Sequence, residues 1–211
     1  MDGLKQRWES IYGTRAPTEV SWYQATPAIS HELIRATGVT HGAPIIDVGG
    51  GASLLVDVLL QAGFRDLTIL DISAAALGRV RERLGPRAAA ITLIEADATE
   101  YQPSRQFAVW HDRAVFHFLT DAAERDRYKA TLRRALAPGG HVIVATFALS
   151  GPLRCSGLEV VRYSAASLTE ELGRGFALVE SREEAHLTPS GKRQAFLYCR
   201  FRTDASLWRE S

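Results

Sequence analysis

The chain has 211 residues, of which 46% are hydrophobic and 23% are charged, and its formal net charge at pH 7 is +1. This length and composition predict one soluble globular domain with a sizeable core, or one domain with a small cap. A net charge this close to zero argues against a broad nucleic-acid-binding surface, and no apolar run approaches the roughly 20 residues that cross a bilayer.

Cysteine usage and the first residues indicate the compartment. Cys155 and Cys199 lack the paired spacing of a zinc site or of a disulfide framework. The first ten residues lack the basic and apolar regions of a signal peptide. We therefore predict a cytoplasmic protein with reduced thiols, whose partners include neither nucleic acid nor a membrane.

The N-terminal segment predicts a helical cap. Trp8 and Tyr12 stand at helical spacing, and residues 27–36 form an amphipathic pattern. An aromatic loop containing Trp22 and Tyr23 lies between them. The predicted regions are a helical cap or lid over residues 1–40, a ligand-binding α/β domain over 41–203, and a tail over 204–211.

After Gly42, short apolar runs alternate with helical patterns. The predicted strands are residues 44–48, 67–71, 91–95, 107–111 and 141–147, and the predicted helices are residues 53–62, 74–84 and 122–136. Continuous apolar strands alternating with helices predict a doubly wound parallel sheet. After a helix near 167–172, extended stretches at 177–184 and 193–202 flank a turn-rich loop and predict an antiparallel hairpin. The predicted fold is therefore α/β, a doubly wound seven-stranded sheet of five parallel strands plus a C-terminal hairpin, with a helical N-terminal cap.

A glycine loop, Gly49-Gly50-Gly51, follows the first predicted strand and opens a helix. Glycines there permit a tight turn and the close approach of a ligand to helix N-terminal amides. A dinucleotide site requires a third glycine where this chain has Leu54. Asp47 at the strand end would also repel a pyrophosphate, whereas it suits a ligand with a cationic group.

The stretch Asp47-Val48-Gly49-Gly50-Gly51-Ala52-Ser53 resembles the first motif of class I S-adenosylmethionine (SAM)-dependent methyltransferases. Ser53 stands where that motif has its last glycine. The family's seven-stranded sheet with a C-terminal hairpin matches the predicted layout over roughly residues 40–202. The resemblance implies SAM as the cofactor and S-adenosylhomocysteine (SAH) as the product.

The resemblance also assigns later strand ends to the cofactor. Asp71 would accept bonds from the ribose hydroxyls, or alternatively would cap the helix that begins at Ala74. Asp97 would accept the adenine amino group, or alternatively would form an ordinary Asx turn. Trp22 and Tyr23 would cover the cofactor or fill a gap in the core. The predicted cofactor-binding residues are Trp22, Tyr23, Asp47, Gly49, Gly50, Gly51, Ser53, Asp71, Ile72, Asp97, Ala98, His111 and Asp112.

The segment after the fourth predicted strand carries the catalytic candidates. A helical turn starting near Asp112 would align Arg113, Phe116 and His117 on one side, beside the acceptor. His117 or His111 could act as a base for an acceptor that arrives protonated. The alternative is that His117 packs beneath the pocket and Arg113 pairs with a carboxylate. The spacing of His111, Asp112 and His117 matches no usual zinc pattern, so no metal is predicted.

Within the superfamily, the Asp112-Arg113 pair and the Ser21-Trp22-Tyr23 loop resemble a group that includes elongation-factor and citrate-synthase lysine methyltransferases and uncharacterised bacterial relatives. Those lysine enzymes end the motif after strand four with an acidic residue, where this chain has His117. We therefore predict methyl transfer from SAM to an N, O or S nucleophile of a small molecule. The alternatives are a protein-lysine methyltransferase, a non-catalytic SAM-binding subunit and an NAD-dependent dehydrogenase.

Overall fold

The structure is a computed structural model, and it describes residues 2–204. Most of the predicted tail over 204–211 therefore lies outside the described residues. The helices are α1 (Asp2–Thr14), α2 (Ala28–Ala36), α3 (Leu55–Gln61), α4 (Ala74–Leu84), α5 (Ala122–Ala135) and α6 (Ala165–Leu172). The strands are β1 (Ile45–Val48), β2 (Leu67–Asp71), β3 (Ile91–Glu95), β4 (Phe107–Arg113), β5 (Leu136–Phe147), β6 (Arg154–Cys155), β7 (Leu158–Glu159), β8 (Phe176–Leu187) and β9 (Arg193–Thr203).

Seven of the strands form one sheet in the order β3-β2-β1-β4-β5-β9-β8. Strands β1 to β5 pair in parallel, whereas β9 pairs antiparallel with both β5 and β8. The prediction of five parallel strands finished by an antiparallel hairpin is therefore confirmed. Strands β6 and β7 form a separate short hairpin that the sequence did not predict.

Helices cover both faces of the sheet and produce two apolar clusters. Side chains of α5 and α6 pack with Ile46 and Val48 of β1 on one face. Side chains of α2, α3 and α4 pack with Ile45 on the other face. Because β1 alternates, Asp47 points toward the α2–α3–α4 face at the end of the strand.

Strands β4 and β5 are longer than predicted because their pairing extends beyond the apolar runs. Asp112 and Arg113 pair with Val144 and Ala145, which lengthens β4 by two residues. Leu136 already pairs with Phe107, so β5 begins before the predicted His141. The helical turn expected from Asp112 does not form, since both Asp112 and Arg113 belong to β4.

Over residues 2–204, no helix combines the length and apolar character that spanning a bilayer requires.

Candidate functional site

A cleft lies beyond the carboxyl ends of β1 and β4, where the strand order reverses direction. In an open α/β sheet this reversal leaves a crevice between neighbouring loops. Two cavities meet there, a first cavity of about 570 Å³ and a second cavity of about 960 Å³. The residues that line both cavities are Tyr12, Trp22, Gly49 and Arg113.

The glycine loop borders the cleft with no room for side chains. Gly49 has φ of +66°, and a Cβ there would overlap Cγ2 of Val115. A Cβ on Gly50 would lie 2.6 Å from Oδ2 of Asp47, and a Cβ on Gly51 would lie 2.8 Å from Oδ2 of Asp71. The glycines therefore let the backbone approach two carboxylates that face the cleft.

Arg83 of α4 holds the segment that follows the glycines. Its guanidinium donates hydrogen bonds to the carbonyl oxygens of Ala52, at 3.2 Å, and of Ser53, at 2.7 Å. Its Nε donates to Asp57 of α3 at 3.0 Å. Ser53 itself lines the first cavity, and its hydroxyl accepts a bond from the Leu55 amide. Arg83 thus fixes the glycine loop from outside the cleft.

Asp47 belongs to a buried hydrogen-bonded chain. Its Oδ1 lies 2.7 Å from Nδ1 of His111, and Nε2 of His111 lies 2.9 Å from the hydroxyl of Ser30. A carboxylate only accepts, so Nδ1 of His111 donates to Asp47, and in a neutral imidazole Nε2 then accepts from the Ser30 hydroxyl. Oδ2 of Asp47 is buried without a hydrogen-bond partner among the described residues. A buried acceptor of this kind, beside the glycine loop, fits an ammonium group.

Asp71 ends β2 under the glycine loop and lines the second cavity with Ile72. The pKa of Asp71 is raised to about 7, chiefly by burial and also by the nearby charges of Asp47 and Glu9, while hydrogen bonds from the Ser73 and Gly51 amides partly oppose the rise. Ser73 supplies the cap of α4, because its hydroxyl accepts from the Ala76 amide at 3.1 Å. Asp71 is therefore not the N-cap of α4.

Asp97 and Ala98 line the second cavity after β3. Oδ1 of Asp97 accepts from the amide and the hydroxyl of Thr99, at 2.7 and 2.8 Å. The Asx turn thus forms, and it uses one carboxylate oxygen. The other oxygen is not engaged by that turn, so the two interpretations of Asp97 are compatible.

Helix α1 and residues 16–23 cover the cleft, and we call them the roof. Trp8 of α1 packs edge-on against Trp22, with ring centroids 5.6 Å apart, and against Phe118, at 5.3 Å. Glu9 accepts hydrogen bonds from the Ala74 and Ala75 amides, which attaches α1 to the N-terminus of α4. Tyr23 lines the first cavity, so both aromatic residues predicted for the lid border the cleft.

The last two residues of β4, Asp112 and Arg113, differ in whether their side chains line the cleft. Arg113 lines both cavities, whereas Asp112 lines neither and is fully buried. Asp112 accepts from the Tyr128 hydroxyl at 2.6 Å and from the Val115 amide at 2.9 Å. Burial raises its pKa to about 6, although these bonds favour the charged form. Ala114 follows with φ of +72°, so the chain turns sharply at the cleft wall.

His117 lies behind that wall and lines neither cavity. It is fully buried, its Nδ1 accepts from the Phe147 amide at 3.3 Å, and its Nε2 has no partner among the described residues. Burial lowers the pKa of His117 to about 3, and the Arg113 charge adds to this effect. An imidazole with this pKa is a weak base at neutral pH, which favours a packing role.

The cleft also contains residues that the sequence analysis did not assign to a site. Tyr12, Val115 and Leu54 line it, and Arg83 and Glu9 hold its borders. Of these residues, the sequence pattern indicates only Tyr12, because it lies in the helix predicted from the spacing of Trp8 and Tyr12. The other contacts join segments that are distant in the sequence.

Comparisons with known proteins agree with this geometry. Residues 45–140 match the family model described as a methyltransferase domain. The eEF1A lysine and N-terminal methyltransferase of Mus musculus is 27% identical over 145 residues, which cover 67% of this chain and 20% of that protein. The chain therefore spans about a fifth of the length of this relative.

Two solved structures have the same fold. One is a protein whose structure is described under the conversion of a disulfide bond into a thioacetal group during echinomycin biosynthesis. Its TM-score is 0.77 at 18% identity, with coverage of 95% of this chain and 93% of that chain. The other is the 1,6-didemethyltoxoflavin-N1-methyltransferase of Burkholderia thailandensis with bound 1,6-didemethyltoxoflavin and SAH. Its TM-score is 0.70 at 19% identity, with coverage of 95% of this chain and 87% of that chain.

The family match begins at β1 and includes the glycine loop, the ends of β2 and β3, and the wall after β4. The orphaned oxygen of Asp47 and the side-chain-free glycine loop fit the cofactor of that family. The chain is therefore similar to the class I SAM-dependent methyltransferases, and the residues of its cleft fit SAM as the cofactor.

Proposed function

We propose that this protein transfers the methyl group of SAM to an N, O or S nucleophile of a small molecule. The observation that carries the proposal is the roofed cleft, whose second cavity of about 960 Å³ extends past the cofactor motifs to an aromatic wall. Such a largely apolar space beneath the roof suits a small acceptor.

The chain's own residues would hold the cofactor across both cavities. Asp47 would accept the ammonium group in the first cavity, with Gly49, Gly50, Gly51 and Ser53 around the methionine portion. In the second cavity Asp71 and Ile72 would meet the ribose, and Asp97 and Ala98 the adenine. The residues common to both cavities would then surround the sulfur.

Bound SAM would supply an electrophilic methyl group. The acceptor's electron pair would form the new bond to the methyl carbon. The electron pair of the broken carbon–sulfur bond would stay on sulfur, which becomes the neutral thioether of SAH. The protein's contribution is alignment of the acceptor and exclusion of water, which can supply several kcal/mol. Trp8 and Trp22 of the roof, together with Phe118, would exclude water from the cleft. Neither histidine is placed to take a proton, because His111 is held by Asp47 and Ser30 and His117 is fully buried and lines neither cavity. The nucleophile would therefore carry a free electron pair when it enters the cleft, having released any proton to water.

A protein-lysine methyltransferase is the second candidate, because the mammalian relative carries lysine methyltransferase in its name. The roof favours the small molecule, since it covers the cleft that a protein segment would have to enter.

The two candidates are separated by incubating the protein with methyl-labelled SAM and a lysate, then separating macromolecules from metabolites. We expect label in the metabolite fraction. Label confined to protein would support the lysine candidate instead. A matched Asp47→Asn variant identifies label that does not depend on the cofactor site.

A further inference from the structure

Arg113 lines both cavities and has a buried nitrogen without a hydrogen-bond partner among the described residues. Its Nε donates to the Tyr198 hydroxyl at 2.8 Å, and its Nη1 donates to the carbonyl of Trp22 at 3.0 Å. Its Nη2 is buried and has no hydrogen-bond partner among the described residues. Only 11% of the Arg113 side chain is exposed. A guanidinium N–H buried in this way is costly unless an acceptor reaches it.

The nearest carboxylate does not fill that position. Oε2 of Glu184 lies 3.9 Å from Nη2 of Arg113, beyond hydrogen-bond distance. Glu184 instead accepts from the Tyr198 hydroxyl at 2.9 Å and from the Gln24 amide at 2.9 and 3.2 Å. Both oxygens of Glu184 are thus engaged in hydrogen bonds, so Glu184 forms an ion pair with Arg113 but leaves the hydrogen-bonding capacity of Nη2 unused.

The guanidinium is also fixed in orientation. It stacks over the ring of Phe196, with Cζ of Arg113 4.4 Å from the ring centroid. Together with its bonds to Tyr198 and Trp22, this stacking pre-organises the group before any ligand binds. Trp22 belongs to the roof, so one Arg113 bond attaches the roof to the end of β4, while the Arg113 side chain lines both cavities.

From these contacts we infer that Arg113 recognises a carboxylate of the methyl acceptor. The acceptor class is a planar, largely apolar molecule that carries a carboxylate, because Arg113 borders a cavity whose other walls include Trp8, Trp22 and Phe118. The inference rests on the proposed function for its assignment to an acceptor. The cofactor's own carboxylate is the other anion that can reach Arg113, and the experiment separates the two.

The test measures binding to the SAH-saturated protein at pH 7.5 by calorimetry. The probes are benzoate, salicylate, anthranilate and indole-3-carboxylate, each paired with its primary amide. We expect at least one acid to bind at least tenfold more tightly than its amide, because charge-assisted hydrogen bonds are roughly twice as strong as neutral ones. Equal binding of every pair, or binding of no acid, overturns the inference without any variant.

Variants then assign the preference to Arg113. Arg113→Gln should remove the acid preference, Arg113→Lys should retain part of it, and Arg174→Gln, an exposed arginine outside the cleft, should leave it unchanged. Thermal unfolding of each variant checks folding. An acid preference that survives in folded Arg113→Gln contradicts the role of this residue.

Cofactor binding provides the remaining comparison. If Arg113 serves the methionine carboxylate instead, Arg113→Gln will weaken SAH binding but leave binding of decarboxylated SAH unchanged, which overturns the acceptor assignment. Acid binding through Arg113 without methylation of any small molecule would instead contradict the proposed function and leave the carboxylate site standing.

Discussion

Three adjacent strands of the sheet carry an aspartate at their carboxyl ends, namely Asp47, Asp71 and Asp112. The three carboxylates differ in their hydrogen-bond partners and in how burial affects them. Asp47 keeps one oxygen without a partner, and Asp71 has its pKa raised to about 7. Asp112 points away from the cleft and anchors the turn through Val115 and Tyr128. The assignment of Asp112 to the cofactor stays a prediction, although its contacts favour a supporting role.

Gly49 provides a direct test of how closely the glycine loop packs. Gly49→Ala should abolish measurable SAH binding, since a Cβ would overlap Val115 and the left-handed backbone adds roughly 1–2 kcal/mol. Gly38→Ala is the matched control, because Gly38 has φ of +73° and open space around it. Calorimetry should show normal SAH binding for that control and partial recovery in Gly49→Ala combined with Val115→Ala. Normal binding by Gly49→Ala alone would contradict the close packing.

Asp71 predicts a pH dependence of cofactor affinity. Its pKa of about 7 means that the carboxylate is lost as pH falls below 7, so SAH affinity should fall by up to tenfold per pH unit there and be flat above. Asp71→Asn should bind SAH about 1–3 kcal/mol more weakly at pH 8 and show no such dependence. Asp66→Asn, on a residue that pairs with Arg105 before β2, is the control. A pH-independent wild type would argue against ribose binding by Asp71.

The same shift has an opposite consequence for folding. Burial raises the pKa of Asp71 above its value in the unfolded chain, so the stability it contributes is present in acid and is lost as pH rises through about 7. Asp71→Asn should therefore unfold at a higher temperature than wild type at pH 8, and this advantage should disappear near pH 4.

His117 can be tested separately as a base and as a packing residue. Its lowered pKa of about 3 means that the stability it contributes is present above pH 6.5 and is lost as pH falls toward 3. His117→Asn should remove this acid-dependent loss, as seen by thermal unfolding, and leave the shape of the pH–rate profile between pH 5 and 8 unchanged. If wild type loses rate toward acidic pH and His117→Asn does not, the result would support His117 as the base.

At the scale of elements, strands and helices with strong local patterns were predicted well. β2, β3 and α4 have the predicted bounds, because short apolar runs and a Ser73 cap specify them locally. The end of β4 could not be predicted, since its pairing with Val144 and Ala145 depends on a neighbour distant in sequence. The contact of Arg83 with Ala52 likewise depends on how α4 lies against the glycine loop.

The attachment of α1 predicts how the roof is held. Glu9→Ala removes the acceptor for two amides at the N-terminus of α4, a loss of about 1 kcal/mol by analogy with helix caps. We expect faster SAH dissociation in stopped-flow experiments and faster tryptic cleavage within α1. Glu100→Ala, on an exposed residue, should change neither rate. An unchanged dissociation rate for Glu9→Ala would mean that α1 does not retain the cofactor.

At the scale of the whole molecule, the cofactor should stabilise the fold, because in the proposed position it would contact both the roof and the sheet. SAH at 100 times its Kd should add about 2.7 kcal/mol, which corresponds to about 5–11 °C in Tm for a chain of this size. NAD should give no shift, since Leu54 replaces the third glycine and Asp47 faces the loop. A shift with NAD and none with SAH would contradict the cofactor assignment. Asp47→Asn should reduce the SAH shift.

The contact between Trp8 and Trp22 also gives the protein a built-in optical signal. These two indoles sit on different segments of the roof, whereas Trp110 is fully buried and donates to the Tyr128 hydroxyl. Lifting α1 would separate the two indoles and expose them to water, which shifts their emission to longer wavelengths, while Trp110 supplies a constant background. A Trp208→Phe background removes the indole outside the described residues, so opening of the roof can be followed in real time without a label.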